Sequence, residues 1–336
     1  MKNPYLKNSQ MVTRLPVGST EDYRVRVRNL KVYFTTGGRI FGKKHLTKAL
    51  DGVTLTIKKR EIMGIVGESG SGKTTLGRVT LGLQKPTEGE VYIKTDNEEM
   101  NVVKSKVKVV GRYAQMIYQD PYSSIDPILR VYDVLAMPLK YRKEENIEEK
   151  IKEAMNLVEL PLELLENRVY QLSGGQRQRL SIARAIIVDP KYVVADEPTT
   201  MLDASLKGEI LKIIKDAREK KGISFMLITH ELPIAKIISD KITVLYLGKV
   251  VEIGRASDVI KKPLHPYTQS LIEAYPKIDP SLRDKPKEIK IKVDVVRPEK
   301  GCVFYPRCPF AHDRCKEKEP ELKEIDQDHY VACWLY

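Results

Sequence analysis

Cysteine is absent from the first 301 residues of this 336-residue chain, tryptophan occurs once and phenylalanine five times. A stretch that long without cysteine is not built on a disulfide framework. No uncharged apolar run approaches the roughly 18 residues that a membrane span requires, so an integral membrane protein is not expected. The opening MKNPYLKNSQ carries no apolar h-region, so a secretory leader is not expected either. What is present is a globular balance, 31% charged and 42% hydrophobic, long enough for one large domain or two modest ones. Lys and Arg number 58 against 45 Asp and Glu, a net charge of +13. That surplus suits nucleic acid, an anionic membrane surface or a phosphate-bearing ligand, but the signs are interspersed, which is first of all a solvated surface.

Residues 1–23 are polar and read as an N-terminal extension. YRVRVRNLKVYF, from Tyr23, alternates as a strand does; 35–47 reads as a hairpin tip or loop, and ALDGVTLTIKK resumes the alternation. REIMGIVGESGSGKTTLGRVTLGLQ, 60–84, reads as buried strand, Gly-rich loop and helix. EVYIK and VKVVGRYAQMIYQ are expected to be further strands. Between 129 and 170 the spacing becomes helical, with many Lys/Glu pairs. A helix from SGGQRQRL, a buried strand KYVVADEP, a helix to about Lys221 and a strand ISFMLITH follow, then the strand pair KITVLYLGKVVEIG. This alternation predicts an α/β fold with a mostly parallel sheet. A short helix framed by prolines is expected in 264–280, and 281–336 reads as a small cysteine-bearing module.

Gly67-Glu68-Ser69-Gly70-Ser71-Gly72-Lys73-Thr74 fits the pattern G-x-x-x-x-G-K-[ST], followed by Thr75, between an apolar strand and a helix. Glycines allow backbone N–H groups to turn inward around phosphate oxygens, and the helix N-terminus adds positive potential. Lys73 is expected to reach the β- and γ-phosphates of ATP, and the Thr74 hydroxyl to ligate Mg²⁺. Tyr192-Val193-Val194-Ala195 runs into Asp196-Glu197, an acidic pair at a buried strand end. Asp196 is expected to hold Mg²⁺ and Glu197 to polarise the attacking water.

Leu172-Ser173-Gly174-Gly175-Gln176-Arg177-Gln178-Arg179 resembles the signature of the ATP-binding-cassette family, which ordinary P-loop ATPases lack. Gln119 in MIYQD looks like that family's Q-loop, Met201-Leu202-Asp203 like its D-loop, and His230 in LITHEL like its switch histidine. The resemblance covers roughly 24–260 and rests on separate motifs in one order. It implies a P-loop NTPase fold, a RecA-like core with a helical subdomain at about 120–180, spanning 24–262, and a C-terminal extension over 263–336. It also implies that two such domains pair head to tail. Ser173 and Gly175, with the backbone N–H groups of 173–176, would then meet the γ-phosphate of ATP held by the partner. Gln119 would sense metal and water, His230 the γ-phosphate, and Phe34, with Tyr33 beside it, would stack on adenine. Glu231 after His230, Asp126 in DPYSSIDP and Met201 depart from the family pattern, but none removes a catalytic group.

MIYQDPYSSIDP, HPYTQSLIEAYP and the cysteine tail look like the ATPase subunits of oligopeptide/dipeptide importers. The tail, Cys302, Cys308, Cys315 and Cys333, is spaced C-x5-C-x6-C-x17-C. Four thiolates can hold Zn²⁺ or an iron–sulfur cluster, and the wide spacing favours the cluster. In this branch the resemblance implies [4Fe–4S]; His312 and His329 lie nearby and read as surface residues. The implied partners are two transmembrane permease subunits, a paralogous ATPase and, through the complex, an extracytoplasmic substrate-binding protein, at the cytoplasmic face of a membrane. Oligosaccharides are an alternative cargo. The other class of reading is an ATPase of the same family acting on nucleic acid or the ribosome. One P-loop, one signature and no sustained heptads stand against it, so no direct nucleic-acid partner is expected.

Overall fold

The computed structural model describes residues 22–36, 45–96, 98–274 and 297–336. The expected N-terminal extension up to residue 21, the Gly- and Lys-rich tip at 37–44 and the stretch 275–296 lie outside the described residues.

Strands β1 (Val25–Thr36) and β2 (His45–Ile57) pair antiparallel, from Val25 opposite Ile57 to Thr36 opposite His45. The pairing therefore claims both ends of the stretch 35–47 expected to be loop. β1 also pairs with β4 (Glu88–Lys94), which pairs with β5 (Glu99–Asn101), closing a four-stranded antiparallel sheet.

The second sheet has eight strands. Its centre is β3 (Ile62–Val66), flanked by β8 (Ser224–Thr229) and β9 (Lys241–Tyr246); β7 (Tyr192–Asp196) and β6 (Ala114–Ile117) extend it beyond β8. All these neighbours are parallel. β3, β7 and β8 are buried along their whole length, as expected of parallel strands covered on both faces. On the β9 side the sheet turns antiparallel through β10 (Lys249–Arg255), β12 (His329–Val331) and β11 (Lys323–Asp326). The cysteine-bearing tail is thus not a separate module. Its last strands complete the main sheet, with Val331 opposite Glu252 and Tyr330 opposite Ile253.

Helix α1 (Lys73–Thr80) follows β3 and packs between the two sheets. It approaches so closely that a Cβ on Gly77 would stand 2.8 Å from Val194. VKVV, expected to be strand, forms a single helical turn, α2 (Val107–Val110). Only Val110 of that turn is buried, while Val107 and Val109 are exposed, so it has no apolar face that a sheet could bury. The helical lobe comprises α3 (Pro121–Ser124), α4 (Val131–Arg142), α5 (Ile147–Leu157) and α6 (Gly174–Ile186), with short 3-10 turns between α5 and α6. Its apolar faces share one core with α7 (Ala204–Lys221) and one side of the parallel sheet. A separate core gathers α8 (Leu232–Ile238), α9 (Ala256–Lys261), α10 (Pro266–Glu273) and α11 (Asp313–Glu317) against β9 and β10. No helix among the described residues is long and apolar enough to cross a membrane.

Candidate functional site

The loop from Gly67 to Gly72 joins β3 to α1. Gly72 has φ +104, and a Cβ there would lie 2.3 Å from the Ala49 carbonyl oxygen, so only glycine fits. The first turn of α1 has no side-chain cap and no acidic residue, leaving its N–H groups and partial positive charge for an anion. Lys73 is buried, and its ammonium donates to the carbonyls of Gly67 at 2.8 Å and Glu68 at 2.9 Å. Burial lowers its pKa, opposed by the charges of Glu197, Asp196 and Glu68. Ser71 turns inward rather than toward the loop mouth; its hydroxyl is buried and its carbonyl accepts from the Gly248 N–H.

Parallel pairing brings the end of β7 beside this loop. Asp196 is buried, and its carboxylate accepts from the Thr74 hydroxyl at 3.2 Å. Burial raises its pKa, helped by the charge of Glu197 and opposed by the Thr74 hydrogen bond. Glu197 follows in the left-handed region, φ 46, where its N–H donates to the Ile228 carbonyl. Its carboxylate gathers three side chains: Gln119 Nε2 at 3.1 Å, Thr200 Oγ1 at 3.0 Å and His230 Nδ1 at 3.1 Å. Glu231 forms an ion pair with Lys207 on α7, at 2.7 Å.

These groups surround a cleft of about 850 Å³. It is lined by Ser69, Gly70, Gly72, Lys73, Thr74 and Thr75 on one side, by Gln119, Glu197, Thr200 and His230 on another, and by Leu46, Thr47, Lys48 and Ala49 of β2. Phe34 is exposed on β1 opposite Thr47, adjacent to this lining. The Tyr33 hydroxyl is instead engaged with the Asp51 carboxylate. A larger groove, about 1440 Å³, lies between 108–118 and α4, away from the phosphate loop.

The signature residues do not line their own chain's cleft. Ser173 caps α6 reciprocally: its hydroxyl accepts from the Gln176 N–H, and the Gln176 side chain accepts from the Ser173 N–H. Gly174 and Gly175 open the helix, and a Cβ on Gly175 would meet Leu206 at 3.1 Å. Asp203 caps α7, accepting from the Leu206 N–H at 3.0 Å, a bond that lowers its pKa. The signature and the Asp203 turn are therefore neighbours.

The four cysteines gather near β9 and β10. Burial raises Cys302 and Cys308 to about 11 and Cys333 to about 12, and Cys333 senses the charges of the other three. Nearby backbone N–H groups oppose the rise: those of Phe304 and Tyr305 at Cys302, Phe310 at Cys308 and Leu335 at Cys333. Among the described residues, no group of three or more His, Cys, Asp or Glu side chains could hold a metal ion. His312 is exposed, as expected. His329, expected at the surface, is buried: its Nε2 lies 2.7 Å from the carboxylate of fully buried Glu252. Glu252 also accepts from the N–H groups of Leu264 and His265, tying the tail to the start of α10.

The sequence reading missed Thr200 and Arg297. Thr200 was within reach, three residues beyond Glu197. Arg297 lines the cleft and donates to the carbonyls of Lys48 and Leu247 at 3.0 and 2.7 Å, but it lies in a charged segment with no motif.

Residues 50–200 match the family described as ABC transporter, and residues 251–315 the one described as oligopeptide/dipeptide transporter, C-terminal region. The oligopeptide transport ATP-binding protein AppF of Bacillus subtilis is 37% identical over 93% of this chain and 97% of its own. The dipeptide transport ATP-binding protein DppF of Haemophilus influenzae is 35% identical over 91% of this chain and 94% of its own. Among solved structures, the dimeric, post-hydrolysis form of the ATP-binding cassette MJ0796 bound to ADP and Pi superposes with TM-score 0.60. It is 28% identical and covers 69% of this chain and 98% of its own.

Proposed function

This chain belongs to the ABC transporter family, and from that premise we propose that it is the ATP-hydrolysing subunit of an importer for oligopeptides or dipeptides. The convergence of Gln119, Thr200 and His230 on Glu197, beside the phosphate loop, carries the reading. A carboxylate held at both oxygens is oriented to accept a proton from water, while Lys73 and the α1 N-terminus stabilise charge on the phosphates. Mg²⁺ would be held by Thr74, Asp196 and Gln119 and would neutralise charge building on the phosphates. His230 would contact the γ-phosphate, and Phe34, the more exposed of the adjacent aromatics, would stack on adenine.

The signature lies outside its own cleft, which supports head-to-tail pairing. Ser173, Gly174, Gly175 and Gln176 would face a nucleotide bound by a second cassette, and Asp203 beside them would face that cassette's catalytic end. The partner cassette is a paralogue or a second copy. The groove between 108–118 and α4 adjoins Gln119 and the helical lobe, so it suits a helix of a permease subunit, two of which would complete a complex at the cytoplasmic face of the membrane. A substrate-binding protein outside the membrane would deliver the cargo.

For the cysteines we favour a structural [4Fe–4S] cluster. Four thiols, Cys302 and Cys315 buried and Cys308 and Cys333 half-buried, with backbone N–H groups near three of them, suit thiolate ligands. Among the described residues no group of three or more such side chains is drawn together for a metal, which bears on the cluster and on Zn²⁺, the alternative, alike. Such a cluster would supply a cross-link, not a catalytic step. Iron and acid-labile sulfide in the anaerobically purified chain, lost in Cys302→Ser, check this.

The function itself is tested by purifying the tagged chain from detergent-solubilised native membranes. Two multispanning permeases should copurify, and the reconstituted complex should take up labelled oligopeptide only with ATP inside. Ribosomal proteins or nucleic acid without permeases would overturn the importer and leave the ATPase.

A further inference from the structure

Glu68, the residue after the first glycine of the phosphate loop, is engaged at all three of its polar groups. Its carbonyl accepts from Lys73, inside the loop. Its N–H donates to the Tyr267 hydroxyl at 2.8 Å, and its carboxylate takes both arms of the Arg307 guanidinium at 2.8 and 3.0 Å. Tyr267 and Arg307 both belong to the C-terminal extension. The loop pattern leaves position 68 open to any residue, so nothing in phosphate binding itself demands a glutamate there.

Both contacts are rigidly backed. His265 caps α10 by accepting from the Tyr267 N–H at 3.0 Å, Pro266 starts that helix, and the Tyr267 ring is buried against Tyr246 and Phe304. Arg307 sits in the turn between Cys302 and Cys308, where its N–H donates to the Phe304 carbonyl at 3.0 Å. Its side chain is mostly buried, and a two-armed pair of that kind holds geometry that an exposed ion pair does not.

We propose that Tyr267 and Arg307 are positioning residues for nucleotide binding: they hold Glu68 from outside the cleft and so fix the phosphate loop and the Lys73 ammonium that bonds to it. The inference rests on the ATPase reading and deepens it, because it makes the C-terminal extension part of the nucleotide site. A docking role alone would move thermal stability. A positioning role moves affinity for nucleotide while the fold holds.

The test is binding of a fluorescent ATP analogue with Mg²⁺ to the full chain, with Tm measured on each sample. Tyr267→Phe removes only the hydroxyl and should weaken binding about threefold to tenfold with Tm nearly unchanged. Arg307→Gln should weaken it about tenfold, Arg307→Lys less, and Glu68→Gln with Arg307→Gln no more than Arg307→Gln alone. Wild-type affinity in both Tyr267→Phe and Arg307→Gln would overturn the proposal, as would losses that merely follow Tm. If Arg307→Gln fails to fold, Tyr267→Phe decides alone. A wild-type chain that binds no nucleotide would overturn the ATPase reading instead.

Discussion

Glu197 and Gly72 are the residues at which backbone geometry and chemistry meet most closely. Glu197 occupies φ 46, in a region that costs a non-glycine residue energy, and its three side-chain partners repay that strain by fixing one orientation. Glu197→Gln keeps the shape and removes the base. Turnover should fall by about 10²–10⁴ with nucleotide affinity retained, measured by steady-state phosphate release and by equilibrium binding. At Gly72 a methyl group would meet the Ala49 carbonyl at 2.3 Å on a backbone with φ +104. Gly72→Ala should cost about 1–3 kcal/mol locally and weaken nucleotide binding by roughly tenfold or more, read by titration of the same analogue. Both residues were legible as motif members. That Glu197 gathers Thr200, and that Gly72 faces β2, were not, because each is a contact across the fold rather than a spacing along the chain.

Among elements, α10 shows what a short motif can do. His265, Pro266 and Tyr267 make in turn a cap, a helix start and a reach to the phosphate loop. The His265 ring is fully buried and its Nδ1 must stay unprotonated to accept from Tyr267; burial lowers its pKa to about 3. The unfolded chain titrates near 6.5, so below that pH it takes up a proton that the native state refuses. Stability from this group is therefore complete above about pH 6.5 and falls as the pH drops toward 3, by up to about 1.4 kcal/mol per pH unit. His265→Asn keeps an accepting cap without the titration. Its denaturant midpoint should change less between pH 6.5 and 4.5 than the wild type's; equal slopes would show that other groups set the acid limb. The continuous apolar runs of β3, β7 and β8 are readable in the sequence within a residue or two, as is the end of α7. VKVV misled because its alternation has no buried counterpart, and β11 and β12 were missed because they become strands only by pairing, β12 with β10 and β11 with β12.

For the whole molecule, the nucleotide cleft has the phosphate loop on one face and lacks the signature on the other. On the proposed reading ATP would be half-enclosed by one chain, and closure would require a second. With Mg²⁺ and ATP, Glu197→Gln, alone or with a paralogous cassette, should run as a dimer in size-exclusion chromatography and return to monomer when ATP is removed. Adding Ser173→Arg should abolish the dimer without weakening ATP binding to the monomer. The strand and helix alternation and the motif order were legible from residues, since buried strands and glycine loops are local signals; the two-lobed plan was only implied by the family resemblance. The joining of the tail to the main sheet, through buried Glu252 and His329, was not, because it depends on partners far along the chain.

The position of β3 also sets an order of assembly. Ile62 pairs with Phe225 and Met63 with Lys241, so the strand that ends in the phosphate loop has both sheet neighbours far downstream. Closing so long a loop is slow. The helical lobe lies wholly within that loop, and its apolar faces close against the same sheet. On the ribosome, the phosphate-loop strand emerges early and waits unpaired until β8 and β9 have followed. ATP added to a refolding chain therefore cannot speed the early steps; it can only trap the last one, and chaperone dependence should centre on that waiting strand.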